Sequence, residues 1–132
     1  MRFLCLAYEE EQKLNDLSES EWDALRHETL SYLEELRARG QYVVSAALES
    51  VKTASTVRVR SGKPSITDGP FAETKEQLGG IILIEVKDLD EALQVASGWP
   101  SARLGSIEVR PILEPLRRGS RYGRAQRAKV TS

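Results

Sequence analysis

Asp68 is followed at once by Gly69 and Pro70, a pair that forces the chain to turn. A carboxylate held at such a rim can act as a general base or bind a substrate hydroxyl. It can equally serve the backbone of its own turn. Glu73, Lys75 and Glu76 follow within a few residues. Charges this close can tune one another's pKa, or can simply solvate a loop. Phe71 between them reads as an anchor that pins the loop to the core. Glu108 and Arg110 alternate with Ile107 and Val109, so on a strand the charged pair shares one face and the apolar pair the other. Such a pair could line a cavity or bridge across strands. Arg103 could hold an anionic group, or serve structure alone. His27 is the one histidine. On an ideal helix it points nearly opposite the apolar stripe that runs from Trp22 to Leu36, which places it at the surface.

Other chemistries find no support. One histidine and one cysteine, far apart, make no zinc set, and no metal or cofactor is expected, although a carboxylate-only magnesium site stays open. Gly79-Gly80 opens a strand rather than a helix, so it is no phosphate loop. No serine nucleophile elbow is present. Cys5 lies mid-strand and reads as a buried, inert thiol.

The elements that must position these residues follow from periodicity. Residues 2–8 form a strand whose alternating sets, Phe3/Cys5/Ala7 and Leu4/Leu6/Tyr8, are both largely apolar, which suits the middle of a sheet. Residues 17–38 form a helix. Ser18 and Glu21 make a capping box, and Trp22, Leu25, Thr29, Tyr32, Leu33 and Leu36 fall on one stripe. Gly40 suits the left-handed residue past its end. Strands are expected over 42–48 and 56–60, then a hairpin loop at Ser61-Gly62-Lys63 and a short strand at 65–67. Residues 68–77 read as a turn followed by one helical turn. Residues 80–86 are a second central strand. Asp88 and Glu91 open a helix with Leu89, Ala92, Leu93 and Ala96 inward, ended by Pro100. Residues 106–112 are the last strand.

Strand–helix–strand, twice, with an inserted hairpin is the ferredoxin-like α+β pattern. It sets two helices on one face of an antiparallel sheet. The other face is also rich in Leu, Ile and Val, and an uncovered apolar face costs ~25 cal/mol per Å². The simplest cover is a second copy, so a homodimer is expected.

The chain has 132 residues, 40% hydrophobic and 30% charged, which suits one globular domain and a real core without staples. No signal peptide or membrane-length apolar run is read, and one cysteine requires no oxidising compartment, so the cytoplasm is the expected location. The net charge of −1 hides an asymmetry. Arg117, Arg118, Arg121, Arg124, Arg127 and Lys129 hold six of the 19 basic residues, leaving 13 against 20 acids and a body of net −7. The expected division is a domain over 1–114 and a flexible basic tail over 115–132. Tyr122 is the tail's one aromatic residue and the body is acidic, so a solvated tail is expected rather than a nucleic-acid partner.

The run Thr67-Asp68-Gly69-Pro70-Phe71-Ala72-Glu73-Thr74-Lys75-Glu76-Gln77-Leu78-Gly79-Gly80 resembles the signature of the DGPF branch of the YciI-like family. The stretches 56–60, 88–93 and 105–112 resemble the family's neighbouring elements, so the likeness covers about residues 1–114. It implies a dimeric α+β barrel. Some members of the wider superfamily use a His–Asp pair on small aromatic or chlorinated substrates, which makes His27 with Asp68 the candidate catalytic pair. Glu73, Lys75, Arg103, Glu108 and Arg110 are then the candidate ligand contacts. Family genes neighbour those of extracytoplasmic-function sigma factors. Two functions follow as expectations: a small-molecule site near Asp68, or a non-catalytic regulatory partner in such a sigma-factor system. Two positions depart from the family pattern. Ile81 stands where an aromatic residue is frequent, and Leu104 where an aromatic residue or histidine is frequent, so a pocket lined there differs in shape and stacking.

Overall fold

The computed structural model describes residues 1–113. The expected basic tail, 115–132, lies outside them. The elements in order are β1 (Arg2–Glu9), α1 (Glu11–Asn15), α2 (Glu19–Ala38), β2 (Tyr42–Ala47), β3 (Ser55–Arg60), β4 (Lys63–Asp68), β5 (Gln77–Glu85), α3 (Leu89–Ser97) and β6 (Gly105–Pro111). Short 3₁₀ turns cover Val51–Thr53 and Pro100–Leu104.

Local signals set the ends of the elements. The Ser18 hydroxyl accepts from the Glu21 N–H at 3.1 Å, while the Glu21 carboxylate accepts from the Ser18 N–H at 2.9 Å. Both halves of the capping box are therefore made. Gly40 takes φ +71° just beyond α2, as a left-handed helix stop requires. Ser61 and Gly62 both have positive φ, 52° and 75°, the turn that suits the twist of a two-residue hairpin. Asp88 caps α3 by accepting from the Glu91 N–H, but the Glu91 carboxylate instead accepts from the Gln41 side chain.

Four strands form one antiparallel sheet in the order β2-β5-β1-β6, and β3–β4 is a separate hairpin. With the hairpin set aside, this is the ferredoxin-like order, and the two strands read as central are central. Phe3, Cys5, Ile82 and Ile84 pack with Leu36 of α2 and with Ala92, Val95 and Ala96 of α3 to form the core. Burial pushes the Cys5 thiol up to about 11, as suits an inert thiol.

Cross-strand partners share a face. Leu4 opposes Leu83, Leu83 opposes Val44, and Leu6 opposes Ile81. These side chains form the second face of the sheet, with Val44 49% exposed. Apart from half-buried Thr56 the hairpin is exposed, and it shows Val57, Val59 and Ile66 to one side.

The structure departs from the sequence reading in several places, among them the short helix α1, absent from that reading, and Phe71, which is exposed rather than anchored in the core. Residues 69–76 form bends, with no helical turn. Leu89 and Leu93 face outward, at 50% and 45% exposure. Ala92 and Ala96 do face the sheet as expected, joined by Val95 in place of the two leucines. Gly98 rather than Pro100 follows α3, and Pro100 opens the next 3₁₀ turn. The stripe on α2 is also divided. Leu36 is fully buried, whereas Trp22 remains 47% exposed. Its C-terminal half packs on the sheet, and its N-terminal half roofs a space.

Candidate functional site

That space is a cavity of about 340 Å³ between α2 and the sheet. Trp22, Leu25, Leu30 and Leu33 of α2 form its roof, and Ala7, Ala47 and Ile82 line the floor. Trp99 and Ser101, before and within the second 3₁₀ turn, close one side. The polar side chains are few. Thr29 donates its hydroxyl to the Leu25 carbonyl at 2.8 Å, and the Ser45 hydroxyl lies 3.0 Å from that of Tyr42. Arg26 lines the cavity from an exposed position on α2. Among the described residues, Glu9 is its one carboxylate.

Glu9 owes its position to the backbone around it. It ends β1 between Gln77 of β5 and Gly105 of β6. A Cβ at Gly79 would run into the Glu9 carboxylate, so a glycine there makes room for the acid. Burial pushes the Glu9 carboxyl above the usual carboxylate range, the Ser101 hydroxyl beside it pulls the other way, and the charges of Glu11 and Glu76 raise it further. A half-buried carboxyl over an apolar chamber, with its proton held more tightly than usual, is an arrangement suited to binding and to acid–base work.

The cost of that arrangement is testable. A carboxyl whose folded-state pKa is raised contributes fully to stability below its unfolded value, and that contribution is lost as pH rises through the folded value. A Glu9→Gln variant is therefore expected to be more stable than the parent at neutral pH. The gain should fade as the pH drops below the ordinary value of 4.5. Paired thermal melts at acid and neutral pH measure it. Equal stability of the two proteins at both pH values would deny the burial cost.

A second cleft of about 290 Å³ adjoins the chamber and shares Glu9, Leu14, Trp22 and Gly79 with it. Glu11, Glu49, Ser50 and Lys52 also line this cleft. Glu11 accepts from the Ser50 hydroxyl at 2.8 Å and the Val51 N–H at 2.9 Å. These bonds, the backbone one first, hold its pKa below the usual range.

The residues singled out by sequence lie elsewhere. Asp68 ends β4, is exposed and pairs across the hairpin with Ser55. The turn after it is fixed by Gly69, whose N–H donates to Ala54 at 2.7 Å and whose carbonyl accepts from the Thr56 hydroxyl at 2.9 Å. Glu73 and Lys75 are exposed on the 69–76 loop, as is Phe71 at 79%. His27 is exposed on α2 and lines a shallow groove with Glu28, Tyr32, Gly98 and Pro100. Arg103 lies 3.0 Å from Glu28 in an exposed ion pair. Glu108 and Arg110 are exposed on the sheet face away from the helices, opposite Leu6 and Leu4, and Glu108 accepts from the Tyr8 hydroxyl at 3.4 Å. None of these seven residues lines the chamber. Among the described residues, no group of three His, Cys, Asp or Glu side chains is placed to hold a metal, and no helix is long and apolar enough to cross a membrane.

Comparison with known proteins gives three findings. The model of the YCII-related domain matches residues 1–115. An uncharacterised protein of Rhizobium meliloti is 35% identical over 114 residues, covering 85% of this chain and 92% of that one. A solved structure of 5-chloro-2-hydroxyhydroquinone dehydrochlorinase from Burkholderia phenoliruptrix, in complex with 2,5-dihydroxybenzoquinone, aligns over 92% of this chain and 99% of its own. Its TM-score is 0.49 and its identity 18%.

Proposed function

The chain belongs to the YCII-related domain family, and from that footing we propose that it binds a small, largely apolar molecule in the chamber beneath α2, where Glu9 holds or moves a proton on it. The observation that carries this reading is the Glu9 carboxyl, half-buried and raised in pKa, at the wall of a largely apolar cavity. A bounded, largely apolar chamber beneath α2 supports a small-molecule role over that of a regulatory partner in a sigma-factor system.

The working unit in this reading is a homodimer. Leu4, Leu6, Val44, Ile81 and Leu83 form an apolar sheet face that none of the described helices covers, and a second copy of the same face buries it by symmetry. The chamber lies on the opposite, helix-covered side and stays open to ligand.

The chain's two tryptophans, Trp22 and Trp99, both line the chamber, so intrinsic fluorescence reports directly on it. Titration with small apolar fragments is expected to change the emission, and to do so equally in Asp68→Ala and His27→Ala variants. If either variant abolishes binding, the site lies with the His–Asp pair instead.

A further inference from the structure

The proposed site has a polarity that narrows its ligand. Glu9 stands at the wall between two spaces, the apolar chamber and the adjoining cleft. Around the Glu9 end stand Glu11 and Glu49, which line the cleft, and Glu76, whose charge acts on Glu9. Ser106 donates its hydroxyl to Glu76 at 2.8 Å. Among the described residues, Lys52 is the one basic residue lining the cleft, and it acts on Glu11. Arg26 lines the chamber from the exposed side of α2. Among the described residues, four carboxyls stand against the Lys52 ammonium and the Arg26 guanidinium, a balance that favours a cation over an anion at this end.

Taking the chamber as the binding site, we propose that its ligand is a cationic amphiphile, a ring-sized apolar body under α2 carrying one ammonium group that meets the Glu9 carboxylate. The body is held by Leu25, Leu30, Leu33 and Trp99 through burial. The ammonium donates a charge-assisted hydrogen bond to Glu9. When Glu9 is protonated beforehand, its proton leaves to bulk water as the ammonium arrives, and the ammonium keeps its own. Binding therefore releases up to one proton, and affinity rises with pH through the Glu9 titration. Trp22, which lines both spaces, offers an aromatic face near the cation's path.

The test compares benzylamine, benzyl alcohol and benzoate on the full chain by calorimetry and tryptophan emission at pH 7 and pH 5. Benzylamine is expected to bind about tenfold or more tightly than benzyl alcohol at pH 7, the worth of one hydrogen bond to a charged group. Benzoate should be weakest, and the amine's advantage should shrink at pH 5. In Glu9→Gln the amine and the alcohol should bind alike. An alcohol or benzoate that binds as well as the amine overturns the cationic class and leaves the chamber reading intact, as does an amine preference that survives Glu9→Gln. If all three leave the tryptophan emission unchanged at millimolar concentration, the chamber reading fails together with the ligand class.

Discussion

If the proposed homodimer forms through the open sheet face, a Leu83→Lys variant is expected to run as a monomer of 14.7 kDa and the parent at twice that mass. Leu83 opposes Leu4 on one side and Val44 on the other, at the centre of the sheet face the helices leave open. In an isolated chain the new ammonium reaches water and the fold survives. Between two apolar faces it would be buried without a partner, at about 3–5 kcal/mol. That weakens the dimer by roughly two to four decades in dissociation constant for each of the two symmetry-related lysines. Light scattering across a dilution series measures the mass, and circular dichroism confirms that the fold is kept. A variant that remains dimeric would show that this face is not the interface.

A Thr29→Trp variant is expected to lose ligand while keeping its fold. Thr29 is half-buried one turn beyond Leu25 and lines the chamber. An indole there fills space that the parent leaves open, so the overpacking cost of ~1–3 kcal/mol seen in filled cores should fall at its low end. A ligand body that buries ~100 Å² of apolar surface gains roughly 2.5 kcal/mol. Blocking the chamber should therefore weaken binding about a hundredfold by calorimetry. Affinity within a factor of a few of the parent's would place the ligand elsewhere.

What the sequence shows of this protein is mostly what is decided locally. The Ser18–Glu21 box, the Gly40 stop and the Ser61-Gly62 turn each depend on residues a few positions apart, and each is found. The dry strands at β1 and β5 declare their central place because both faces of each are apolar. Glu9 escapes the same reading because its burial is set by Gly79 and Ser101, which the fold brings to it from β5 and from the turn after α3. In sequence it stands merely first of three acids that end an apolar run. One signal was present: a Gly-Gly pair at the start of a central strand leaves room over the sheet, and something must use it. Leu89 and Leu93 show the opposite failure. Helical period places the inward stripe only to within a residue or so: Ala92 and Ala96 lie on it as expected, but Val95 rather than either leucine completes it.

The most direct measurement is a methyl NMR spectrum recorded while a small apolar amine such as benzylamine is titrated into the protein. The chamber account predicts saturable shifts at Leu25, Leu30, Leu33 and Ile82, which surround the space beside Glu9. Shifts confined to Val57, Val59 and Ile66 of the hairpin that carries Asp68, with the chamber methyls unmoved, would contradict it.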